Sequence, residues 1–402
     1  MRRVEIRHKH VICSFVIVIV FSTASVIWIQ RQDYYDQLRS NEYQHAKAMY
    51  KKKLRRSELF DNRFQERQQR LVRACTKYSN FDVNGTIFRP EDVLFVPPYN
   101  MSICVIQKVG CRFWWKVLTF LQNSNTKKHT SDPYRLSNLT DNLKSSFERS
   151  LKIVFTREPY SRLLAAYVDK FLSPNPFFWG TGKIIINRFR HDASKRSLEC
   201  GHDVSFQEYV KYVLDVEHVY DPHFIPMHRH CAFCKQRYDI IGKMETFQDD
   251  VSFIIHLVNA SSNAQLLHFI NSNHILKEIR VNAKNLFLTR KRILKACMNM
   301  HEALRRLWKR WKIRGFISND QNLNISAEQS ETMSFYTFYD LAIQAVKRSN
   351  SLGRRFTMNN LKQEYFNSLP ISDKLSLREL FRPEFDMFGY NPKPAFVFPV
   401  KK

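Results

Sequence analysis

The chain has 402 residues, of which 44% are hydrophobic and only 9 are glycine. This length and composition exclude a disordered, collagenous or low-complexity protein and allow a sizeable core. Lysine and arginine number 64 against 37 acidic residues, which gives a formal net charge of +27. Such an excess predicts a polyanionic partner, which is a nucleic acid, an anionic lipid or an acidic polysaccharide.

A charge-free segment of nineteen residues, Val11 to Ile29, follows a short basic N-terminus. As a helix it would span about 28 Å, which is enough to cross a bilayer. The positive-inside rule then leaves residues 1–10 in the cytosol and places everything after the anchor at 11–29 in a lumen, as in a type II membrane protein. A cleaved signal peptide is the alternative, although its apolar region usually runs about 7 to 15 residues. Lumenal placement argues against nucleic acid as the partner.

Two further features are typical of the secretory pathway. Five Asn-x-Ser/Thr sequons follow the apolar segment, at Asn84, Asn100, Asn138, Asn259 and Asn324. Seven cysteines also follow it, and an oxidising compartment favours disulfides between them. Because seven is odd, at least one thiol stays free or pairs between chains.

The chain after the anchor divides into a stem and one domain. Residues 30–74 contain no glycine or proline and are rich in charged residues, which predicts a basic helical stem. Its apolar positions are too sparse for a sustained heptad, so it is a solvated spacer or a weak site for homodimerisation. In the predicted lumenal domain, 75–402, apolar runs at 102–107, 151–156 and 238–242 precede helical patterns. This alternation predicts βα units around a parallel sheet.

The segment at 107–112, QKVGCR, lies where the first predicted strand gives way to a helix. A helix N-terminus offers unpaired N–H groups, Gly110 lets the backbone approach a phosphate, and Lys108 adds a full charge. These features predict an anion cradle, although the spacing is not that of a Walker A loop. An ordinary strand-to-helix turn is the alternative.

The second junction has the same geometry. Arg157 ends the strand predicted at 151–156, and Pro159 suits the first turn of the next helix. Parallel sheets bind ligands at the carboxyl ends of their strands, so Lys108 and Arg157 predict a site for a ligand with two separated anionic groups. Pairing of Arg157 with Glu158 or another acid is the alternative.

Four sequence blocks then occur in a fixed order: KVGC before an aromatic-led helix, VFTREPYSRLLAAYVDKF, a histidine eight positions before Cys-x-x-Cys and YDIIGKMET, and RPEFDMFGY. Together, over roughly Cys75 to Pro392, they resemble the Golgi carbohydrate sulfotransferases of the chondroitin 4-sulfotransferase and HNK-epitope sulfotransferase type. The resemblance implies an α/β, P-loop-kinase-like sulfotransferase fold with a central parallel sheet flanked by helices. It also implies a Golgi membrane anchor, 3′-phosphoadenylyl sulfate as sulfuryl donor, no metal, and a glycosaminoglycan-like or glucuronate-containing acceptor.

The resemblance assigns roles to residues of this chain. By this resemblance, the 5′-phosphosulfate loop consists of Lys108, Val109, Gly110, Cys111 and Arg112. The resemblance makes Arg157 the start of the 3′-phosphate motif, in which the family's serine ligand is replaced by Ala165 and Ser161 lies one helical turn away. Gln107 and Arg112 also stand where the family usually has proline and threonine. Losing one hydrogen bond to a charged group costs about 1.5 to 3 kcal/mol, so Ala165 predicts weaker donor binding and leaves a weakly active or non-catalytic glycan-binding member open.

The third cluster is rich in histidine and cysteine: His223, His228, His230, Cys231 and Cys234. Such a cluster could bind zinc, but in an oxidising lumen its two cysteines are expected to form disulfides instead. His223 matches the family's histidine and is the predicted general base, since a neutral imidazole can take a proton from a sugar hydroxyl. A structural histidine at a turn is the alternative, and Glu245 is the second candidate for the base.

The predicted activity is therefore transfer of a sulfuryl group to a glycan hydroxyl. A Golgi glycosyltransferase would share the anchor, the stem and the sequons, but the sequence has no Asp-x-Asp motif. The two tryptophans Trp114 and Trp115 are predicted to pack the first helix rather than to bind sugar.

Overall fold

The computed structural model describes residues 62–78, 88–124, 131–215, 221–294 and 297–399. The predicted anchor at 11–29, the stem before residue 62 and the sequon at Asn84 lie outside these residues. Contacts divide the chain into two compact units, Met1–Arg63 and Phe64–Lys402. Among the described helices, none has the length and apolar character needed to cross a bilayer.

A five-stranded mixed sheet lies at the centre. Its strands are β1 (Val93–Val96), β2 (Met101–Cys104), β3 (Tyr134–Arg135), β4 (Leu151–Thr156) and β5 (Ile240–Lys243). Their order across the sheet is β3-β1-β2-β4-β5. Strands β2, β4 and β5 are parallel, whereas β1 pairs antiparallel with both β2 and β3. The three apolar runs thus form the parallel strands as predicted. The expectation of a parallel sheet is wrong at the β3-β1 edge, because the link of only four residues, 97–100, between β1 and β2 is too short for a parallel crossover and makes the two strands run antiparallel.

Helices cover the sheet and make up most of the chain after it, as the sequence predicts. In chain order they are α1 (62–77), α2 (Cys111–Gln122), α3 (Asp141–Glu148), α4 (Pro159–Tyr167), α5 (Trp179–Phe189), α6 (Lys195–Cys200), α7 (Phe206–Leu214), α8 (Phe247–Leu257), α9 (Ala264–Asn271), α10 (His274–Leu288), α11 (Arg290–Leu294), α12 (Met300–Ile313), α13 (Ala327–Thr332), α14 (Phe335–Arg348), α15 (Ser351–Asn367), α16 (Ile371–Leu380) and α17 (Arg382–Phe388).

Two apolar clusters hold these helices in place. One joins α4, α7 and α15 to α17 through Tyr160, Tyr209, Phe224, Phe366 and Phe385. The other joins α10, α12 and α14 through Leu286, Leu304, Trp311 and Phe338. Because Phe224 is fully buried in the first cluster, it fixes the backbone of its neighbour His223 beside α4.

Three disulfides form, Cys75–Cys234, Cys104–Cys231 and Cys200–Cys297, and Cys111 keeps a free thiol. Disulfide formation by Cys231 and Cys234 is confirmed, and one thiol stays free as the odd count required. Their partners lie in α1 and β2, which no spacing in the sequence indicates. Segment 221–239, which contains His223, is therefore covalently tied to both of these elements.

Removing the bridge between β2 and this segment, with Cys104→Ala and Cys231→Ala together, should lower the free energy of unfolding by about 2–5 kcal/mol, because it frees a long loop in the unfolded chain. Chemical denaturation under non-reducing conditions measures the change. Cys111→Ala is the control and should change the free energy by less than about 1 kcal/mol. Equal stability of the double variant and the wild type would show that this bridge does not form.

Candidate active site

The loop between β2 and α2 has the backbone geometry of an anion cradle. Lys108 (φ 67°) and Gly110 (φ 75°) both adopt the left-handed conformation, which turns the chain sharply before α2 begins at Cys111. A Cβ atom on Gly110 would lie 3.3 Å from the Phe247 ring, so the position favours glycine on both grounds. No side chain caps the first turn of α2. Its N–H groups therefore stay available for an anion.

Three cations share a single carboxylate beside this loop. Asp169 lies in the turn of π-helix, Val168–Leu172, that continues α4. Its carboxylate accepts a hydrogen bond from Lys108 Nζ, lies 2.7 Å from the Arg310 guanidinium and 3.8 Å from Lys170 Nζ. Arg310 extends from α12 and is almost fully buried. The cluster carries more positive than negative charge, so it can accept a further anion.

The pKa values reflect this crowding. Burial raises the pKa of Asp169, but the charges of Arg310 and Lys108 outweigh it and hold the pKa well below its usual range. Burial lowers the pKa of Lys108, and the carboxylate of Asp169 offsets only part of that effect. An anion bound next to Lys108 would therefore stabilise its charged form.

Arg157 lies beside the loop, as the two strand ends predict. Strands β2 and β4 are neighbours in register, with Cys104 opposite Val154. The Arg157 guanidinium donates a hydrogen bond to the backbone carbonyl of Lys108 at 3.1 Å. Within the described residues it has no carboxylate at ion-pair distance. Glu158 instead caps α4, accepting from the N–H groups of Tyr160 and Ser161, so the predicted alternative of an Arg157–Glu158 ion pair is wrong.

The sequence did not indicate Lys362, which α15 brings to this end of the site. Its Nζ donates to the Ser161 hydroxyl at 3.4 Å and lies 3.9 Å from the centre of the Phe396 ring. Ala165 lies one turn further along α4 and is partly exposed. Lys362 is thus a second cation, in addition to Arg157, near Ala165. The serine expected at position 165 would have supplied a hydroxyl there. The contact joins residues 201 positions apart, so no local pattern could have predicted it.

The buried guanidinium of Arg162 connects the loop to the His223 segment. It donates to the carbonyl of Gln107 at 2.9 Å, to that of Ile225 at 2.8 Å and to that of Pro222 at 3.1 Å. Only 4% of this residue is exposed. Arg162 therefore fixes the position of the cradle relative to His223.

His223 is oriented by a carboxylate. Its Nδ1 lies 2.7 Å from Asp221 Oδ1, and its own backbone N–H donates to the same oxygen. If Nδ1 carries the proton of that bond, Nε2 keeps a free lone pair. Burial lowers the pKa of His223, the charges of Lys170 and Lys108 lower it further, and the bond to Asp221 raises it only in part. The surroundings therefore favour the neutral form of the imidazole.

The other predicted site residues lie at the edges of this arrangement. Val109 is buried, and Cys111 Sγ lies 3.3 Å from Gln107 Oε1. Arg112 is exposed and pairs with Glu278 at 3.2 Å. Glu245 accepts hydrogen bonds from the Glu158 N–H and the Tyr390 hydroxyl, next to Arg157 rather than His223.

The remaining residues of the histidine and cysteine cluster take no part in the site. His228 contacts Glu384 and His230 is buried, while Cys231 and Cys234 are consumed in disulfides and cannot serve as thiolate ligands. Trp114 is buried against Phe155, which confirms its predicted packing role.

Comparison with known proteins identifies relatives of the chain. Residues 91–312, more than half of its length, match a family model described as the sulfotransferase family. Carbohydrate sulfotransferase 8 of Mus musculus is 32% identical over 221 residues, covering 51% of this chain and 53% of that protein. Carbohydrate sulfotransferase 11 of Rattus norvegicus is 26% identical over 239 residues, covering 54% and 67%. Carbohydrate sulfotransferase 14 of Danio rerio is 30% identical over 184 residues, covering 44% and 50%. The chain spans about half the length of most of these curated relatives. No solved structure matches it significantly.

Replacing Arg162 with methionine should lower the free energy of unfolding by about 2–5 kcal/mol, because buried carbonyls lose a charged donor. Urea denaturation monitored by tryptophan fluorescence measures the loss. Arg149→Met, at an exposed position, is the control and should change stability by less than about 0.5 kcal/mol. If the two variants are equally stable, Arg162 does not hold these segments together.

Proposed function

Because the chain belongs to the sulfotransferase family, we propose that it transfers a sulfuryl group from 3′-phosphoadenylyl sulfate to a glycan hydroxyl. The proposal rests on one observation above all. The cradle containing Lys108 and the guanidinium of Arg157 lie within one hydrogen bond of each other at adjacent strand ends. This spacing suits a nucleotide that carries anionic groups on both its 5′ and its 3′ positions.

In this proposal the donor binds across the two strand ends. The N–H groups of the first turn of α2 and the ammonium of Lys108 hold the 5′-phosphosulfate. Arg157 and Lys362 hold the 3′-phosphate, with Ser161 between Lys362 and the start of α4. Lys362 then takes the place of the hydroxyl that the family has at Ala165, which supports an active enzyme rather than a non-catalytic one.

The proposed reaction is a single in-line displacement. His223 Nε2 takes the proton of the acceptor hydroxyl as its oxygen attacks sulfur. The new sulfur–oxygen bond forms while the bond between sulfur and the bridging phosphate oxygen breaks, so that adenosine 3′,5′-bisphosphate leaves. Lys108 stabilises the negative charge that develops on this phosphate. Asp221 holds the imidazole in the tautomer that the step requires.

Asp169 has a separate role in this scheme. Without donor, its carboxylate balances Lys108, Lys170 and Arg310, which would otherwise repel one another. When the phosphosulfate arrives, Lys108 exchanges this partner for the donor. Lys170 and Arg310 remain next to Asp169 and keep the cluster positively charged, which favours an anionic acceptor.

We propose a Golgi location with the domain in the lumen and the segment at 11–29 as a type II membrane anchor. Three disulfides within the domain support an oxidising compartment. The four sequon asparagines in the described part of the chain, Asn100, Asn138, Asn259 and Asn324, are all exposed. The boundaries at residues 10, 29 and 74 and homodimerisation through the stem belong to the same proposal. The acceptor would be a glycosaminoglycan or another glucuronate-containing chain.

Two lysine variants should separate donor binding from transfer. Lys108→Ala should lower the rate of sulfate transfer about 100-fold or more, because it removes charge stabilisation at the leaving phosphate. Lys362→Ala should weaken binding of adenosine 3′,5′-bisphosphate about tenfold, because one charge-assisted contact is lost. Transfer is measured with labelled donor on a panel of desulfated glycosaminoglycans and glucuronylated oligosaccharides. Binding is measured by thermal stabilisation.

Lys116→Ala is the matched control, since Lys116 is an exposed lysine of α2, the helix that follows the loop. It should leave both transfer and nucleotide binding unchanged. Full activity of Lys108→Ala would overturn the proposed mechanism. If adenosine 3′,5′-bisphosphate does not stabilise the wild-type chain, the non-catalytic glycan-binding function replaces the enzymatic one.

The pH dependence should report on His223. Its pKa is lowered from 6.5, and the base must be neutral, so kcat/KM should stay level from neutral pH to below 6.5 and fall only at lower pH. Asp221→Asn removes the bond that raises this pKa, so the acidic fall should move to still lower pH. The plateau of kcat/KM should drop about tenfold or more, because the tautomer is no longer fixed. Asp192→Asn, at an exposed site, is the control. An unchanged pH profile in Asp221→Asn would exclude His223 as the base.

A further inference from the structure

A basic groove outside the proposed reacting centre lies between α1 and the C-terminal helices. It has a volume of about 860 Å³ and is open to solvent. Arg70, Arg73 and Lys77 line one side of it, at spacings that place them on one face of α1. The other side is lined by Arg378, Arg382 and Lys393. The two ends of the α1 series, seven residues apart, are separated by about 10 Å along the helix axis.

Only part of this positive charge is balanced. Two carboxylates line the groove: Glu379, which pairs with Arg378 and Arg382, and Asp386, which pairs with Lys77 at 2.7 Å. Within the described residues, the side chains of three cations have no carboxylate at ion-pair distance. These are Arg70, Arg73 and Lys393. The groove therefore has a net positive charge, and its unpaired cations are exposed to solvent.

The shape and the floor of the groove favour an extended chain over a membrane surface. Its floor contains Ala74, Phe385 and Tyr390. None of the described large hydrophobic side chains that are exposed lines it, whereas a membrane-binding surface presents such side chains to the bilayer. A linear polyanion with a spaced series of negative charges fits a concave groove with cations along both sides.

The groove begins next to the proposed donor site. Tyr390 lines it, and the hydroxyl of Tyr390 donates to Glu245 at 3.1 Å and lies 3.0 Å from the Thr156 hydroxyl at the end of β4. Lys243 Nζ lies 4.5 Å from the centre of the same ring. Neither Lys108 nor His223 lines the groove. A ligand held there would lie beside the Arg157 end of the proposed donor site without occupying the reacting centre.

We propose that this groove is a second binding site for the acidic glycan, which retains a long acceptor chain beside the donor site. The identity of the ligand as a glycan rests on the proposed function. Binding at two places raises the effective concentration of the chain at the centre, so the groove should affect KM for polymers and leave kcat on short acceptors unchanged.

The test compares two triple variants of the full chain. One is Arg70→Gln, Arg73→Gln and Lys393→Gln, which removes the three unpaired cations without leaving a carboxylate alone. The control is Arg280→Gln, Lys284→Gln and Lys347→Gln, which removes the same charge from exposed positions on α10 and α14. Binding of fluorescent desulfated chondroitin, with neutral dextran as the blank, is measured with saturating adenosine 3′,5′-bisphosphate present, so that the nucleotide site is filled.

At about 0.1 M salt the groove variant should bind chondroitin about tenfold more weakly than the wild type, with a shallower salt dependence, and the control should bind as the wild type does. Its KM for the polymer should rise while kcat on a short oligosaccharide stays the same. Equal binding by the two triple variants would overturn the proposal. Loss of chondroitin binding when the nucleotide is added would do so too, since it assigns the groove to the donor.

Phosphatidylserine vesicles form a second arm. The proposal would be overturned if the vesicles bound through the three groove cations and chondroitin did not bind. The ligand of the groove would then be a membrane surface rather than a glycan. Failure of the proposed function has a different result: the wild type would transfer no sulfate to any acceptor while the groove variant still lost chondroitin binding. In that case the groove stands as a glycan-binding site.

Discussion

The arrangement of the site depends on the guanidinium of Arg162. This one buried cation donates to three backbone carbonyls that belong to two segments far apart in the sequence. Hydrogen bonds to a charged donor contribute about 1.5 to 3 kcal/mol each, so neither segment can move without leaving a buried polar group unpaired. The loop of Lys108 and the segment of His223 therefore keep a fixed distance. The disulfide from Cys104 to Cys231 fixes the same two regions covalently.

The parallel pairing of β2 and β4 places the second half of the site. Because parallel strands end on the same edge of a sheet, the residues that follow them lie along that edge, and the pairing of β2 with β4 makes these residues neighbours. The run predicted at 151–156 matches β4 residue for residue, and the last four residues of this strand are buried. The prediction that Lys108 and Arg157 lie together is confirmed for the same reason.

The parts that the sequence did not predict come from side chains that fold in from a distance. Arg310 belongs to a helix rich in arginine and lysine, so in the sequence it is indistinguishable from the solvated residues around it. Only packing against Asp169 distinguishes it. Lys362 and the partners of Cys231 and Cys234 are set by tertiary contacts as well. The antiparallel β1 and β3 have four and two residues, too few to produce a clear alternation.

The contacts of Lys362 change what Ala165 implies for binding of the 3′-phosphate. In the sequence the alanine removes a ligand from the proposed 3′-phosphate site, but in the structure the ammonium group of Lys362 approaches α4 at Ser161, one turn before the alanine. A cation attracts a phosphate over a longer range than a hydroxyl does, and its contribution falls with ionic strength, whereas that of a neutral hydrogen bond does not. A site built in this way would bind its nucleotide mainly through charge. The departure from the family pattern at Ala165 then changes how the proposed site holds the phosphate. It does not argue against phosphate binding.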